Sequence, residues 1–268
     1  MPELPEVETV RRQLAPRLSG RKILEAGSHS SAKFSDARAA TGATLQSVGR
    51  RGKFLIIPTD DGREVIIHLG MTGQLRFRQG SPDDSDAYLR AWWYLDGDET
   101  LEYSDVRRFG RIRVVSAGDY QSMPTLAHLG PEPFDPALTP RVFWERLRKS
   151  RRAIKTNLLS QRPIAGVGNI YADEALWLAR INPRTSRIGK QRAADLLDAI
   201  QLVLQQGIDN SGTTLRDYRT VDGHTGGNQG RLKAYGRGGE PCVRCGETLC
   251  RAELDARTTT WCPSCQRT

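Results

Sequence analysis

All five cysteines lie from Cys242 onward, and four of them form two Cys-x-x-Cys pairs. These are Cys242-Val-Arg-Cys245 and Cys262-Pro-Ser-Cys265, with sixteen residues between the pairs. Two thiolates on one tight turn reach adjacent corners of a tetrahedron, and a second such turn completes it. The spacing therefore predicts a ribbon closed around one structural Zn2+. The tail from Arg231 has too few apolar residues for a core of its own, and metal binding would supply the folding free energy it lacks. Cys250 stands outside both pairs and reads as a small apolar or bystander thiol. Such a ribbon is a structural clip or a nucleic-acid reader. Arg244, Arg251, Arg257 and Arg267 around it favour the second.

The basic bias extends to the whole chain. Forty Lys and Arg against 31 Asp and Glu leave a net charge of +9 and a pI near 9.6. That excess suits a polyanionic partner, nucleic acid before membrane, or simply a basic solvated surface. No apolar run approaches the roughly 20 residues that span a bilayer. The opening MPELPEVETVRR has no apolar stretch, so it is no secretory signal and a cytoplasmic protein is expected.

At 268 residues one large domain or two to three small ones are expected. Residues 5–14 carry Val7, Val10 and Leu14 at helical spacing, with Pro5 suited to a first turn and Pro16 expected to stop or kink the helix. Strand-like runs follow at 44–48, 54–57, 65–69, 75–78, 92–95, 101–103 and 111–115. Asp60-Asp61-Gly62 supplies a hairpin turn between the second and third, and the set reads as an antiparallel sandwich. The proline-rich connector 128–140 marks a boundary, after which the period turns helical at 143–147, 154–159, 170–178 and 193–207. Residues 222–230 form a glycine-rich loop with almost nothing to bury. The expected fold is α+β and multidomain. A β-sandwich with a flanking N-terminal helix occupies 1–128, a helical domain with that loop 129–230, and a zinc-finger β-hairpin 231–268.

Pro2-Glu3-Leu4-Pro5-Glu6 carries the chemistry. Removal of Met1 would make Pro2 a free secondary amine, able to attack a sugar carbon and hold it as an iminium. Glu3 could then act as general acid toward the sugar ring oxygen or as proton shuttle, with Glu6 orienting Glu3 or the amine. Acidic residues and proline at a helix start also serve as ordinary capping, and that alternative stays open. Gly166-Val167-Gly168-Asn169 before a helix makes a phosphate site with Asn169 as a further donor, or else a tight turn that needs glycine. Lys155, with Arg148, Lys149, Arg151 and Arg152 nearby, adds electrostatic reach. Met71 and Phe109 would more often be core residues, although the flanking Gly70, Gly73 and Gly110 argue for exposed turns.

MPELPEVETVRRQL resembles the opening of formamidopyrimidine-DNA glycosylases. The likeness continues in family order through RRGKFL (50–55), HLGMTG (68–73), YSDVRRFG (103–110), HLGPEP (128–133), GVGNIYADE (166–174), SGTTLRDY (211–218), YGRGGEPC (235–242) and the cysteine pairs. It implies removal of oxidised purines, 8-oxoguanine and formamidopyrimidines, from duplex DNA, followed by β,δ-elimination at the abasic site. Pro2 would be the nucleophile, Glu3 the acid, and Lys53 a catalytic or phosphate-anchoring group. Met71, Arg107 and Phe109 would fill the gap left by an everted base. Helices around Asn169 would form a helix–two-turn–helix. Arg257 would contact phosphate, Arg216 would lie near the damaged base, and the 222–230 loop would close over that base.

A monomer is implied. Leu4 favours this branch over the endonuclease VIII type, which prefers oxidised pyrimidines and usually has glycine there. Val106 and Ser211 depart from the pattern without touching a catalytic group, and no phosphate contact is assigned to residues 88–90. A non-catalytic binder of damaged DNA and a zinc-ribbon interaction module without a DNA role remain the alternatives.

Overall fold

The computed structural model describes residues 1–83 and 85–267. The chain divides into two compact units, Met1–Ala127 with Asn210–Gln229, and His128–Asp209 with Gly230–Thr268. Among the described residues, no helix is long and apolar enough to cross a membrane.

In the first unit, α1 (Leu4–Leu18) precedes eight strands. These are β1 (Ile23–Ser28), β2 (Gly49–Arg51), β3 (Phe54–Pro58), β4 (Arg63–His68), β5 (Gly73–Gln79), β6 (Leu89–Leu95), β7 (Glu99–Asp105) and β8 (Arg111–Ser116), followed by the short α2 (Pro124–Ala127). They form two antiparallel four-stranded sheets, ordered β1-β6-β7-β5 and β2-β3-β4-β8. The expected sandwich and the 60–62 hairpin turn are both present. Val7, Val10, Leu14 and Leu18 of α1 share a buried cluster with Leu55, Ile67, Trp93 and Tyr103. Deleting such a side chain, as in Leu14→Ala, would cost about 2–5 kcal/mol.

Three expectations need correction here. Pro16 does not end α1, which runs on to Leu18. The proline falls in the last turn, and burial of Leu14 and Leu18 holds that turn in place. Residues 44–48 form no strand. Thr44 and Leu45 make only isolated bridges to Lys22 and Thr59, although Leu45 and Val48 are both buried. Strand β1 was not expected from Ile-Leu-Glu-Ala-Gly-Ser, which lacks β-branched alternation. Gly27 pairs with Trp92 of β6, whose indole covers the space a side chain would need.

Residues 210–229 also depart from the expected helical region and return to the sandwich. The cause is hydrophobic: Tyr218 and Val221 are buried in the same cluster as α1.

The second unit holds α3 (Pro140–Leu147), α4 (Ile154–Leu159), α5 (Asn169–Leu178) and α6 (Lys190–Asp209), then the antiparallel hairpin β9 (Cys250–Leu254) and β10 (Arg257–Trp261). Thr139 caps α3 by accepting from Val142 N, with Pro140 at the first helical position. The hairpin turn is Asp255-Ala256, with φ of 48° and 57°. Two left-handed residues match the twist of a two-residue hairpin.

Candidate nucleic-acid interface and metal centre

In the first unit the expected reactive end lies at the start of α1. Glu3 and Glu6 are 2% and 1% exposed and form a reciprocal capping box, with Glu3 N donating to Glu6 Oε2 at 2.7 Å. Pro2 is buried beside them and Met1 is exposed. Glu6 Oε1 also accepts from Thr213 N at 2.7 Å, which draws the 211–218 segment onto the helix start. Gly212, at φ 84°, lies against the Glu6 side chain, where a Cβ would crowd it.

One turn further on, Glu8 accepts from Arg11, Arg12 and Arg50. Burial alone would raise its carboxyl, but these three guanidinium groups hold it down at about 2. Arg50 also donates to Gly52 O at 3.0 Å. The β2–β3 turn that carries Lys53 is thereby fixed to the helix that begins beside Glu3. Lys53 is 7% exposed. Burial, followed by the charges of Lys53 and Arg111, pulls His68 down to about 4, so its imidazole is neutral at physiological pH. Lys53, His68 and Arg111 thus share one electropositive corner.

Phe109 is 50% exposed, Arg107 is exposed with its guanidinium 4.8 Å from the Phe109 ring centre, and Met71 is half-buried. The glycines around them are buried, contrary to the expectation of exposed turns. They are small because neighbours press on them. A Cβ on Gly70, at φ 64°, would collide with the backbone of Phe109 and Gly110, and one on Gly110 would collide with the Tyr103 hydroxyl.

Beneath these loops sits Asp105, fully buried. Its carboxylate accepts from Thr72 Oγ1 at 2.5 Å and from Gly110 N at 2.7 Å, and Thr72 Oγ1 in turn accepts from Arg107 N at 3.0 Å. Arg90, 4% exposed, donates to Asp105 O. That is the role of the arginine in the unassigned 88–90 stretch. Sequence reasoning passed over Asp105, Thr72 and Arg90. A carboxylate just ahead of a tight Arg-Arg-Phe-Gly turn was the available signal.

The 222–230 loop is tied back by Gly226 N to Thr214 Oγ1, Gly227 N to Asn210 O, and Asn228 Nδ2 to Thr213 Oγ1. Arg216 is exposed in the preceding 211–218 segment.

In the second unit Lys155 cannot offer the surface charge expected of it. It is 1% exposed and pairs with Asp173 at 2.6 Å, while also donating to Thr258 O and Thr259 Oγ1. Burial pushes the Asp173 carboxyl up, to about 7, against the pull of Lys155. Asp173 Oδ2 further accepts from Thr260 N at 3.0 Å. Next to it, Glu174 accepts from the amides of Lys233, Ala234 and Tyr235, each at 2.8 Å. Two consecutive carboxylates on α5 therefore clamp the finger region. They were missed, although acids on the otherwise apolar stretch IYADEALWL required partners.

Asn169 opens α5 and donates Nδ2 to Thr258 O at 3.0 Å, which brings it beside the strand that starts with exposed Arg257. Of the glycine turn before it, Gly166 N is already used by Gln161 Oε1 at 2.7 Å. The turn is thus partly the tight junction that was the alternative reading.

The sulfurs of Cys242, Cys245, Cys262 and Cys265 lie within 4.8 Å of one another. A Zn2+ with four thiolates at roughly 2.3 Å would set them roughly 3.8 Å apart, so the donor set fits that ion. Trp177 Nε1 donates to Cys242 Sγ at 3.4 Å and steadies that ligand from α5. Cys250 starts β9 outside the cluster.

Three family models match the chain. They are the formamidopyrimidine-DNA glycosylase N-terminal domain over residues 1–112, its H2TH domain over 129–219, and the zinc finger found in FPG and IleRS over 239–268. A formamidopyrimidine-DNA glycosylase from Thermomicrobium roseum is 42% identical over 99% of both chains. The crystal structure of the MutM (Fpg) protein of Thermus thermophilus superposes with a TM-score of 0.91 at 43% identity, covering 99% of this chain and 98% of that one. A Lactococcus lactis FPG mutant in complex with Fapy-dG-containing DNA gives 0.90 at 36% identity, with both chains fully covered. With matches of this strength running from end to end, the chain belongs to the formamidopyrimidine-DNA glycosylase family.

Proposed function

We infer that this protein removes oxidised purines, formamidopyrimidines and 8-oxoguanine, from duplex DNA and then cleaves the abasic strand, as a bifunctional glycosylase and lyase. Its finger holds one structural zinc. We further propose that Pro2 is the nucleophile once Met1 is removed. While Met1 is attached, the Pro2 nitrogen is an amide whose lone pair is delocalised. As a free amine it can attack the sugar carbon as the base departs with the bonding electrons and the amine proton is lost; the ring C–O bond then breaks, its oxygen taking a proton from Glu3, and the nitrogen lone pair completes an iminium. Loss of a proton from the neighbouring sugar carbon then expels the 3′ phosphate, and a second elimination expels the 5′ phosphate. Hydrolysis of the adduct returns the amine.

The observation that carries this reading is the burial of Glu3 and Glu6 next to Pro2. An exposed pair would cap the helix equally well, whereas burying two acids is costly unless their placement serves a task. Glu3 is then the acid and proton shuttle, and Glu6 positions it while holding Thr213. Lys53 anchors the phosphate beside the attacked sugar. Met71, Arg107 and Phe109 occupy the vacated stack, Arg216 lies near the everted base, and Asn169 and Arg257 hold the backbone. A place in the cytoplasm, at the chromosome, is consistent with the substrate.

Borohydride reduction tests the nucleophile. With an abasic duplex it should trap a covalent adduct whose DNA-bearing peptide begins at Pro2, and Pro2→Gly or a chain retaining Met1 should abolish or severely reduce that adduct. Full trapping by the Met1-bearing chain would sink the assignment.

A further inference from the structure

Apart from the residues already assigned to DNA, the second unit has a concavity of about 700 Å3 between α3 and α4. Arg146, Lys149, Arg152, Arg162 and His128 line it together with hydroxyl and amide groups, and no carboxylate does. Among the described residues, none of the four Arg and Lys side chains is within ion-pair distance of an acid, whereas Arg141 at the other end of α3 is paired with Glu145 at 3.0 Å. Several arginines of the first unit are treated differently. Arg11, Arg12, Arg17, Arg21, Arg50 and Arg76 all meet carboxylates. Gathering four uncompensated cations around one hollow raises their mutual repulsion, and a polyanion relieves it.

The hollow is also built rather than loose. Arg146 donates to Arg162 O at 2.8 Å, Asn157 Nδ2 to Leu147 O at 3.0 Å, and Ser150 Oγ accepts from Arg152 N at 3.2 Å. It is continuous with the finger through α4, because Thr156 in the first turn of that helix bonds Asp255 of the hairpin turn, beside Arg257.

We propose that this groove takes the phosphodiester backbone of the duplex arm flanking the lesion, beyond the phosphates held by Asn169 and Arg257. The inference rests on duplex DNA being the substrate. Each phosphate neutralised by a protein cation adds roughly 0.9 to the slope of log affinity against log salt. Removing two contacts should therefore flatten that slope by about 1.8.

The test uses the full-length, zinc-loaded protein and an uncleavable abasic analogue in two duplexes, one ending close to the lesion and one extending several helical turns further. In the Lys149→Gln/Arg152→Gln variant, affinity and salt slope should fall on the long duplex and stay at the wild-type value on the short one. The charge-preserving Lys149→Arg/Arg152→Lys variant should restore both. Equal slopes for wild type and the Gln variant on the long duplex would overturn the proposal. So would an equal loss on both lengths, which marks a diffuse field rather than a groove. Inorganic pyrophosphate is the third probe. Its binding to wild type and not to the Gln variant, without any length effect, would reassign the groove to free polyphosphate and also overturn the proposal. If wild type bound neither duplex, the functional reading itself would fail, which is a distinguishable result.

Discussion

The loops under Phe109 and the hairpin under Arg257 solve the same problem at different ranges. Each presents exposed side chains on irregular backbone, and each is pinned by a buried carboxylate. Asp105 ends one strand of a sheet and grips Thr72, 33 positions away, just ahead of the neighbouring strand. Its partners are already close because the sheet brings them there. Asp173 and Glu174 instead reach Thr260 and Lys233, 87 and 59 positions away, in a region with too little apolar area to fold alone. The first unit tightens what its core has positioned. The second docks a module whose internal order comes from metal.

Withdrawing the metal should separate the two cases most sharply. Structural zinc contributes apparent binding free energies of about 10–16 kcal/mol, so chelation should unfold the finger. Amides of β9 and β10 should then exchange at unfolded rates while those of β3 and β4 keep their protection. Equal loss of protection in both would break the contrast.

Next in size is Asp173→Asn, which strands the Lys155 ammonium in a dry site and should cost about 3–5 kcal/mol by denaturant titration. The paired change Lys155→Met/Asp173→Leu should recover part of that loss, the remainder reflecting the Thr260 amide that Asp173 no longer accepts from. It should also leave the salt slope of DNA binding unaltered, since a buried lysine meets no phosphate.

Asp105→Ala removes two hydrogen bonds and leaves the Gly110 amide buried, at a cost of about 2–3 kcal/mol. Its signature should be slower base eversion, read by a fluorescent base opposite the lesion, with borohydride trapping on a preformed abasic site less affected. A variant that unfolds the whole sandwich would show that Asp105 supports the sheet rather than its loops.

The smallest effect is electrostatic. Because the folded carboxyl of Glu8 titrates at about 2, its stabilisation is complete above its ordinary value of 4.5 and fades as pH falls between the two. Glu8→Gln should lower stability at neutral pH by about 1 kcal/mol once solvent screening is allowed for, and the difference should vanish near the lower value.

Much of this was legible beforehand, for identifiable reasons. The four cysteines and the helices of the second unit announce themselves because spacing and period are local properties. The strands from β3 onward did so as short strand-like runs set off by turn residues. What stayed hidden depends on distant partners. Strand β1 exists because β6 pairs with it. Lys155 looked like one more surface cation in a basic run until Asp173, on another helix, withdrew it from solvent. Gly70 and Gly110 were recognised as special, but the cause, a tyrosine hydroxyl and a neighbouring loop, lies outside their own sequence windows. The capping alternative at Glu3 and Glu6 proved true as geometry, and it is burial, which sequence does not show, that supports the catalytic role proposed for the pair.

Because residues 210–229 rejoin the sandwich, the polypeptide passes between its two units three times, after Ala127, Asp209 and Gln229. One proteolytic nick at the proline-rich connector would leave two covalent tethers intact. Neither half can be obtained by simple truncation, and an exchange of the helical unit between relatives requires three matched splice points.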